Sequence, residues 1–129
     1  MSGLPRGVET ILVVDDEPEL RRAACRLLQR HGYRTLEAAS GEEALELARA
    51  NRGAVDLVFT DLAMPGLGGK AFYERLRADG DDVPFLFASG YERGDLEQDA
   101  LAAELPFIAK PWTLADLVKR VREVLDARP

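Results

Sequence analysis

Cysteine is nearly absent from this sequence, which has a single thiol, Cys25, in 129 residues. One cysteine excludes an internal disulfide and a multi-cysteine metal site, and it fits a reducing compartment. Long apolar runs are missing too: none approaches the roughly 20 residues that span a bilayer, and residues 1–7 contain no hydrophobic signal core. We therefore expect a cytoplasmic domain that makes no direct contact with a membrane.

Positive charge is in short supply, because 17 Lys and Arg residues stand against 23 Asp and Glu residues, a formal net charge of −6 at pH 7. A nonspecific nucleic-acid binder would carry a net basic surface, so we expect no direct contact with nucleic acid. A hydrophobic fraction of 47% is typical of a folded globular protein and excludes global disorder. The length suits one domain, predicted at residues 9–127 after a disordered leader or linker at residues 1–8.

Short apolar runs alternate with amphipathic stretches along the chain. The runs predict strands at residues 10–14, 33–38, 57–60, 83–88 and 106–109. The amphipathic stretches predict helices that begin at Pro18, after Ser40, near Phe72 and after Thr113, with a weaker helix between Glu92 and Glu104. Capping boxes are predicted at two helix starts, Ser40 with Glu43 and Thr113 with Asp116. The alternation predicts an α/β domain with a flavodoxin-like, doubly wound (βα)5 fold, five parallel strands in the order 2-1-3-4-5 and helices on both faces.

Polar side chains follow four of the predicted strands at the point where each strand ends. They are Asp15 and Asp16 after the first strand, Asp61 after the third, Ser89 after the fourth and Lys110 after the fifth. In an open parallel sheet the ligand site lies beyond the carboxyl ends of the strands, where the strand order reverses. The predicted order therefore brings all five side chains to one crevice.

The chemistry of these side chains indicates phosphoryl transfer. Three carboxylates brought together repel one another unless a cation joins them, and a small all-oxygen site suits Mg²⁺. A Mg²⁺ ion and Lys110 beside Asp61 could neutralise the charge of a phosphoryl group transferred to that carboxylate. Asp61 is then a nucleophile as well as a metal ligand.

The same residues resemble the signature of the receiver domain of two-component response regulators. The resemblance covers residues 10–125 and rests on Asp15-Asp16, Asp61 followed by Pro65-Gly66, Ser89-Gly90 and Lys110-Pro111. It implies a signalling domain that promotes only its own phosphorylation and dephosphorylation. It also implies that Asp61 takes a phosphoryl group from a phosphohistidine on a histidine kinase or a histidine phosphotransfer protein.

Individual roles follow from the resemblance. It implies that Asp16, Asp61 and the backbone carbonyl of Ala63 bind Mg²⁺ directly, with Asp15 acting partly through water. It further implies that Ser89 and Lys110 contact phosphoryl oxygens and that the Lys110–Pro111 peptide bond is cis.

Phe107 matches the aromatic residue that rotates in the family when the domain is phosphorylated. The resemblance implies that Ser89 moves toward the phosphoryl group, that the ring fills the space Ser89 leaves, and that the change reaches the surface of the fourth helix, fifth strand and fifth helix. The family often has Tyr at this position. Phe107 lacks the hydroxyl and can fill the pocket without hydrogen-bonding outside it, so the bias between the two states is expected to be weaker or purely steric.

Other classes of protein fit the sequence less well. A phosphatase of the haloacid dehalogenase type needs a second Asp two residues after its nucleophile, where Ala63 stands here. A nucleotide-binding P-loop ending at Gly69-Lys70 fails, because Met64 replaces a required Gly and Ala71 a required Ser or Thr. Within the receiver family, the start of the domain and the Ser89-Gly90-Tyr91 segment favour a terminal receiver of a hybrid sensor kinase. The alternative is a stand-alone, single-domain response regulator.

Overall fold

The computed structural model describes residues 4–89 and 105–128 of the chain. Its strands are β1 Thr10–Val14, β2 Arg34–Ala38, β3 Leu57–Asp61, β4 Phe85–Ser89 and β5 Phe107–Ala109, and its helices are α1 Pro18–Arg30, α2 Gly41–Ala50, α3 Gly69–Ala78 and α4 Leu114–Asp126. The strands form one parallel sheet in the order β2-β1-β3-β4-β5, which confirms the predicted order and fold class. The helix predicted at 92–104 lies outside the described residues, as do Gly90 and Tyr91.

The sheet buries both of its faces, because successive side chains of a strand point to opposite sides. On one side, Ile11 and Val13 of β1 pack in a cluster with buried residues of α1 and α4. On the other side, Leu12 and Val14 pack with buried residues of α2 and α3. All five residues of β3 are buried, as expected for an interior strand of a parallel sheet. The acids that follow β1 and end β3 are therefore carried by two interior strands.

Three strands begin later than predicted: β5 begins one residue later, at Phe107, and for β2 and β4 a competing hydrogen bond explains the difference. The backbone N–H of Tyr33 donates to the Leu28 carbonyl at 3.1 Å, so Tyr33 still belongs to the end of α1. The N–H of Val83 donates to the Asp81 carboxylate at 3.1 Å, which makes a turn and delays β4 to Phe85.

The helices are 10 to 13 residues long, and two of them begin at side-chain caps. At α4 the predicted capping box is complete, with Thr113 and Asp116 each bonding the other's backbone N–H. At α2, Ser40 accepts the N–H of Glu43, but the Glu43 carboxylate accepts the N–H of Ala39 and not that of Ser40. In the described parts of the chain, no helix is long and apolar enough to cross a membrane.

Residues 4–8, which belong to the predicted leader, lie against the rest of the domain. Leu4 is partly buried against the core cluster that contains α1 and α4. The N–H of Gly7 donates to the His31 carbonyl at 2.9 Å. The predicted domain boundary at residue 9 stays a prediction.

An ion pair joins the residue before β1 to the last helix. Arg122 of α4 donates from Nη1 and Nη2 to the two carboxylate oxygens of Glu9, at 3.1 and 2.7 Å. The hydrogen bond from Arg122 lowers the pKa of Glu9 from its ordinary value of 4.5 to about 2. Because the folded pKa lies below the unfolded one, the pair stabilises the fold above about pH 4.5, and this contribution is lost as the pH falls toward 2.

We predict that Glu9→Gln lowers the free energy of unfolding by about 1 kcal/mol at pH 7, since the two-pronged charge-assisted bond is lost. Urea denaturation of both proteins between pH 7 and pH 2 measures the effect. The difference between them should shrink as the pH falls below 4.5. A difference that is the same at every pH would contradict the role of the Glu9 charge.

Candidate functional site

The topology brings the predicted site residues to one edge of the sheet. In the β1–β3 register Val14 lies opposite Thr60, so Asp15 and Asp61 follow side by side at the strand ends. Ser89 ends β4 opposite Ala109 of β5, and Lys110 is the next residue along the chain. All five predicted side chains therefore stand at the carboxyl ends of neighbouring strands.

Three carboxylates meet at this edge. One carboxylate oxygen from each of Asp15, Asp16 and Asp61 lies within 4.8 Å of the others. Asp15 and Asp61 are buried, whereas Asp16 is exposed to solvent. Hard oxygen ligands in a group of this size, open on one side, suit Mg²⁺, which retains water molecules and needs few protein ligands.

Lys110 supplies the positive charge of the site. Its Nζ donates to Oδ2 of Asp61 at 2.9 Å and lies 3.8 Å from Oδ2 of Asp15. The backbone holds this lysine in place, since its N–H donates to the carbonyl of Ser89 at 2.8 Å. The peptide bond that follows, Lys110–Pro111, is cis.

Burial has the largest effect on the pKa values of the site. Desolvation by burial raises the pKa of Asp61, and the hydrogen bond and charge of Lys110 oppose that rise without cancelling it. Burial likewise raises the pKa of Asp15, against a backbone hydrogen bond from Glu17 and the charge of Lys110. Burial lowers the pKa of Lys110, but the hydrogen bond and charge of Asp61 outweigh it and the net direction is upward. Lys110 contacts two of the three carboxylates, Asp61 and Asp15, so the cluster keeps negative charge that a divalent cation can neutralise.

Arg21 positions the start of the site, although sequence reasoning did not select it. Its Nη1 donates to the backbone carbonyl of Asp15 at 2.9 Å, and its Nε donates to Glu37 at 3.0 Å. The Asp15 carboxylate in turn accepts the N–H of Glu17 at 2.9 Å. A basic residue near the N-terminus of α1, where the helix dipole disfavours positive charge, was the signal that could have drawn attention to Arg21.

Gly69 is a second positioning residue that the sequence analysis did not assign. It opens α3, and its N–H donates to the Leu62 carbonyl at 3.0 Å. A Cβ built at Gly69 would overlap the backbone oxygen of Asp61 and would lie 3.1 Å from Cα of Leu62. The missing side chain therefore lets α3 pack directly beneath the end of β3. Only the three-dimensional contact reveals this, because Gly69 stands among several other glycines of one loop.

The other predicted residues lie at or near the site. Ala63 is exposed in the loop after β3, and its backbone N–H bonds the carboxylate of Asp61. Ser89 is partly buried at the end of β4. Phe107 is 42% exposed on the edge strand β5. Their assigned roles in metal binding, phosphoryl contact and switching stay predictions.

Trp112, the only tryptophan, links the Lys110 loop to the core. Its ring packs edge-on against Phe59 with the ring centroids 6.1 Å apart. Phe59 is buried in β3, two residues before Asp61. The tryptophan is therefore placed to report on changes at the site.

The chain matches a family model described as the response regulator receiver domain over residues 11–122. It is 40% identical over 126 residues to the sensor kinase CckA of Brucella abortus (strain 2308), an alignment that covers 93% of this chain and 13% of the kinase. It is 36% identical over 116 residues to the response regulator MprA of Mycobacterium sp. (strain KMS), covering 89% of this chain and 50% of that protein. The chain therefore spans half or less of the length of these two curated relatives.

A solved structure agrees with these similarities. The receiver domain from the hybrid histidine kinase CckA superposes with a TM-score of 0.76 at 40% identity, covering 90% of this chain and 98% of that one. The chain belongs to the response regulator receiver domain family and is a receiver domain of a two-component system. The family expected from the sequence motifs is thereby confirmed.

We predict that Gly69→Ala destabilises the protein by about 1–3 kcal/mol, because the new methyl group overpacks the contact between α3 and the end of β3. Urea denaturation measures the change. The neighbouring Lys70→Ala substitution adds no atoms and serves as the control. Equal stability of the two variants would show that the packing of α3 does not depend on the close contact between Gly69 and the backbone of Asp61 and Leu62.

Proposed function

We propose that this receiver domain accepts a phosphoryl group on Asp61 from the phosphohistidine of a histidine kinase or a histidine phosphotransfer protein. The observation that carries the proposal is the contact of Lys110 Nζ with Asp61 Oδ2 at 2.9 Å inside a cluster of three carboxylates. A buried carboxylate with an ammonium group and two further acids beside it has the components of an acceptor for phosphoryl transfer. The single cysteine fits the reducing cytoplasm, where we propose that the exchange takes place.

The residues present fit a Mg²⁺ ion. Asp16, Asp61 and the backbone carbonyl of Ala63 would hold it, and Asp15 would take part through water. When bound, the ion supplies positive charge for the phosphoryl oxygens and offsets the mutual repulsion of the carboxylates. The donors are all oxygen atoms, as Mg²⁺ prefers.

The proposed reaction moves the phosphoryl group directly from the donor histidine to Asp61. An oxygen of the ionised Asp61 carboxylate forms a bond to phosphorus as the bond from phosphorus to the imidazole nitrogen of the donor breaks, and the imidazole leaves with the electron pair. Lys110 keeps its proton and pairs with a phosphoryl oxygen. The hydroxyl of Ser89 donates to another phosphoryl oxygen. These residues promote only the domain's own phosphorylation and, with water as the nucleophile, its dephosphorylation.

The output proposed for this reaction is a change of surface around β5. Ser89 moves toward the phosphoryl group, and the ring of Phe107 turns into the space that it leaves. The 42% exposure of Phe107 in the described structure fits a ring that has not yet turned inward. Because Phe107 has no hydroxyl, packing alone would favour the inward position.

We further propose that the domain is the terminal receiver of a hybrid sensor kinase. The similarity to CckA, described as a sensor kinase and as a hybrid histidine kinase, supports this architecture. The similarity to MprA, described as a response regulator, supports a receiver that belongs to a response regulator. Because this chain covers only 50% of MprA, that similarity does not favour the stand-alone, single-domain alternative.

We predict that Asp61→Asn abolishes phosphorylation by acetyl phosphate and Mg²⁺, because an amide cannot form the acyl phosphate. Intact-protein mass spectrometry should show one added phosphate on the wild-type protein and none on the variant. Asp82→Asn, which changes the same functional group at an exposed position before β4, should be phosphorylated like the wild type. Undiminished labelling of Asp61→Asn would remove Asp61 from the mechanism.

We predict that Asp16→Ala weakens Mg²⁺ binding about tenfold or more, since a charged ligand is removed from a site with few others. Titration of the Trp112 fluorescence with MgCl₂ measures the affinity, and Asp82→Ala is the matched control. An unchanged affinity in Asp16→Ala would contradict direct coordination by Asp16.

A further inference from the structure

The segment before β1 is fastened to the domain as a strap, defined here as residues 4–9. Its main anchor is the guanidinium group of Arg122 in α4. Besides its two bonds to Glu9, Arg122 donates to the backbone carbonyl of Arg6 at 3.2 Å and to the hydroxyl of Tyr33 at 3.3 Å. Its Nε also donates to Asp126 at 3.0 Å. The strap therefore holds to α4 through both its backbone and a side chain.

Two glycines allow the strap to lie this close to the domain. A Cβ added at Gly7 would overlap the Tyr33 ring and would lie 2.6 Å from Nη1 of Arg122. A Cβ added at Gly32 would overlap the carbonyl oxygen of Gly7, and Gly32 also has a φ of +99°, which favours glycine. The backbone of the strap therefore lies directly against the end of α1, with no side chain of Gly7 or Gly32 between them.

The same helix is connected to the acceptor site at its other end. Thr113 caps α4, and the residues just before it are Lys110, Pro111 and Trp112. Lys110 contacts Asp61, and Trp112 packs on Phe59 of β3. One short helix therefore has the Lys110 loop at its start and the strap at its last turns.

The contacts just described link Asp61 to both ends of this helix. A phosphoryl group on Asp61 would replace the present contact of Lys110 Nζ with Oδ2, and Lys110, which stands four residues before the start of α4, would pair with a phosphoryl oxygen instead. The bonds from Arg122 to Glu9 and Arg6 fit the present position of the helix, at 2.7 to 3.2 Å. A rigid-body shift of α4 that follows the re-pairing of Lys110 would lengthen these bonds.

We propose that the strap couples phosphorylation of Asp61 to the chain that precedes the domain, with phosphorylation loosening the strap. This inference rests on the proposed function, since it needs Asp61 to be the acceptor. In a longer protein, the coupling would let the phosphorylation state change how firmly the preceding segment is held against the domain.

The experiment uses beryllofluoride with Mg²⁺ as a mimic of the phosphoryl group and follows exchange of the Gly7 amide, which donates to His31, by NMR. In the wild-type protein the mimic should speed this exchange at least threefold. In Glu9→Gln the exchange should already be fast and should respond little. Glu123→Gln removes the same charge from the Arg120–Glu123 pair on the same helix, away from the strap, and should behave like the wild type.

Reciprocity supplies a second readout, because a ligand that loosens the strap must bind more tightly when the strap is already loose. Glu9→Gln should therefore raise the affinity for beryllofluoride about threefold, as measured by Trp112 fluorescence, and Glu123→Gln should leave it unchanged. Gly7→Ala, which opens the strap by crowding Tyr33, should reproduce the effect of Glu9→Gln.

The outcomes separate this inference from the proposed function. If the mimic binds normally but Gly7 exchange and the affinity are the same in all variants, the strap is a static anchor and the coupling is refuted. If the mimic does not bind the wild-type protein at all, the proposal that Asp61 is the acceptor fails, and the coupling fails with it.

Discussion

The burial of two carboxylates at the ends of neighbouring strands, beside a third carboxylate, is the constraint on which the site depends. Asp15 and Asp61 are both buried, so solvent cannot screen their charges as it does at an exposed surface. Lys110 offsets part of this cost through its 2.9 Å contact with Asp61, yet the pKa values of both buried acids remain raised. Binding of a cation such as Mg²⁺ is therefore favoured at this edge, and so is a phosphoryl group with which Lys110 can pair.

Keeping Lys110 in position requires much of the remaining fold. The lysine follows β5, a strand of three residues at the edge of the sheet. Short edge strands are weakly held, but here the Lys110 N–H bonds the Ser89 carbonyl and Trp112 packs on Phe59. The capping box at Thr113 then begins α4 at once. A single positive charge is thus fixed relative to Asp61 by contacts with two strands and a helix start.

The sequence was informative about this site for a physical reason. Parallel topology places the residues that follow every strand at one edge, so Asp15, Asp61 and Lys110 converge once the strands and their order are recognised. The positions of Arg21 and Gly69 could not be predicted in the same way. Arg21 acts through a backbone carbonyl and Gly69 through the absence of a side chain, and neither leaves a periodic pattern in the sequence.

The contacts of the strap could not be predicted from the sequence either. Residues 4–8 contain Pro5 and Gly7 and no periodic run of apolar side chains, a composition typical of a linker. Their contacts include backbone hydrogen bonds with residues distant in the sequence, from Gly7 to His31 and from Arg122 to Arg6, and the packing of Leu4 on the core. Composition indicates how much apolar surface a segment can bury, but it does not reveal that an arginine on a distant helix donates hydrogen bonds to that segment.

The charged residues at the two ends of the strands differ in how completely they are paired. At the N-terminal edge, Glu9 pairs with Arg122, Asp56 pairs with Arg128, and Asp56 also accepts the N–H of Thr10. Each of these two acids meets a guanidinium group, which balances its charge and stabilises the fold. At the C-terminal edge three acids lie together and Lys110 contacts two of them, Asp61 and Asp15. Its compact ammonium group can change partners more readily than a two-pronged guanidinium. The edge whose negative charge is incompletely paired is therefore the one suited to phosphoryl transfer. Helix α4 runs between this edge and the edge where Glu9 and Asp56 are paired with arginines.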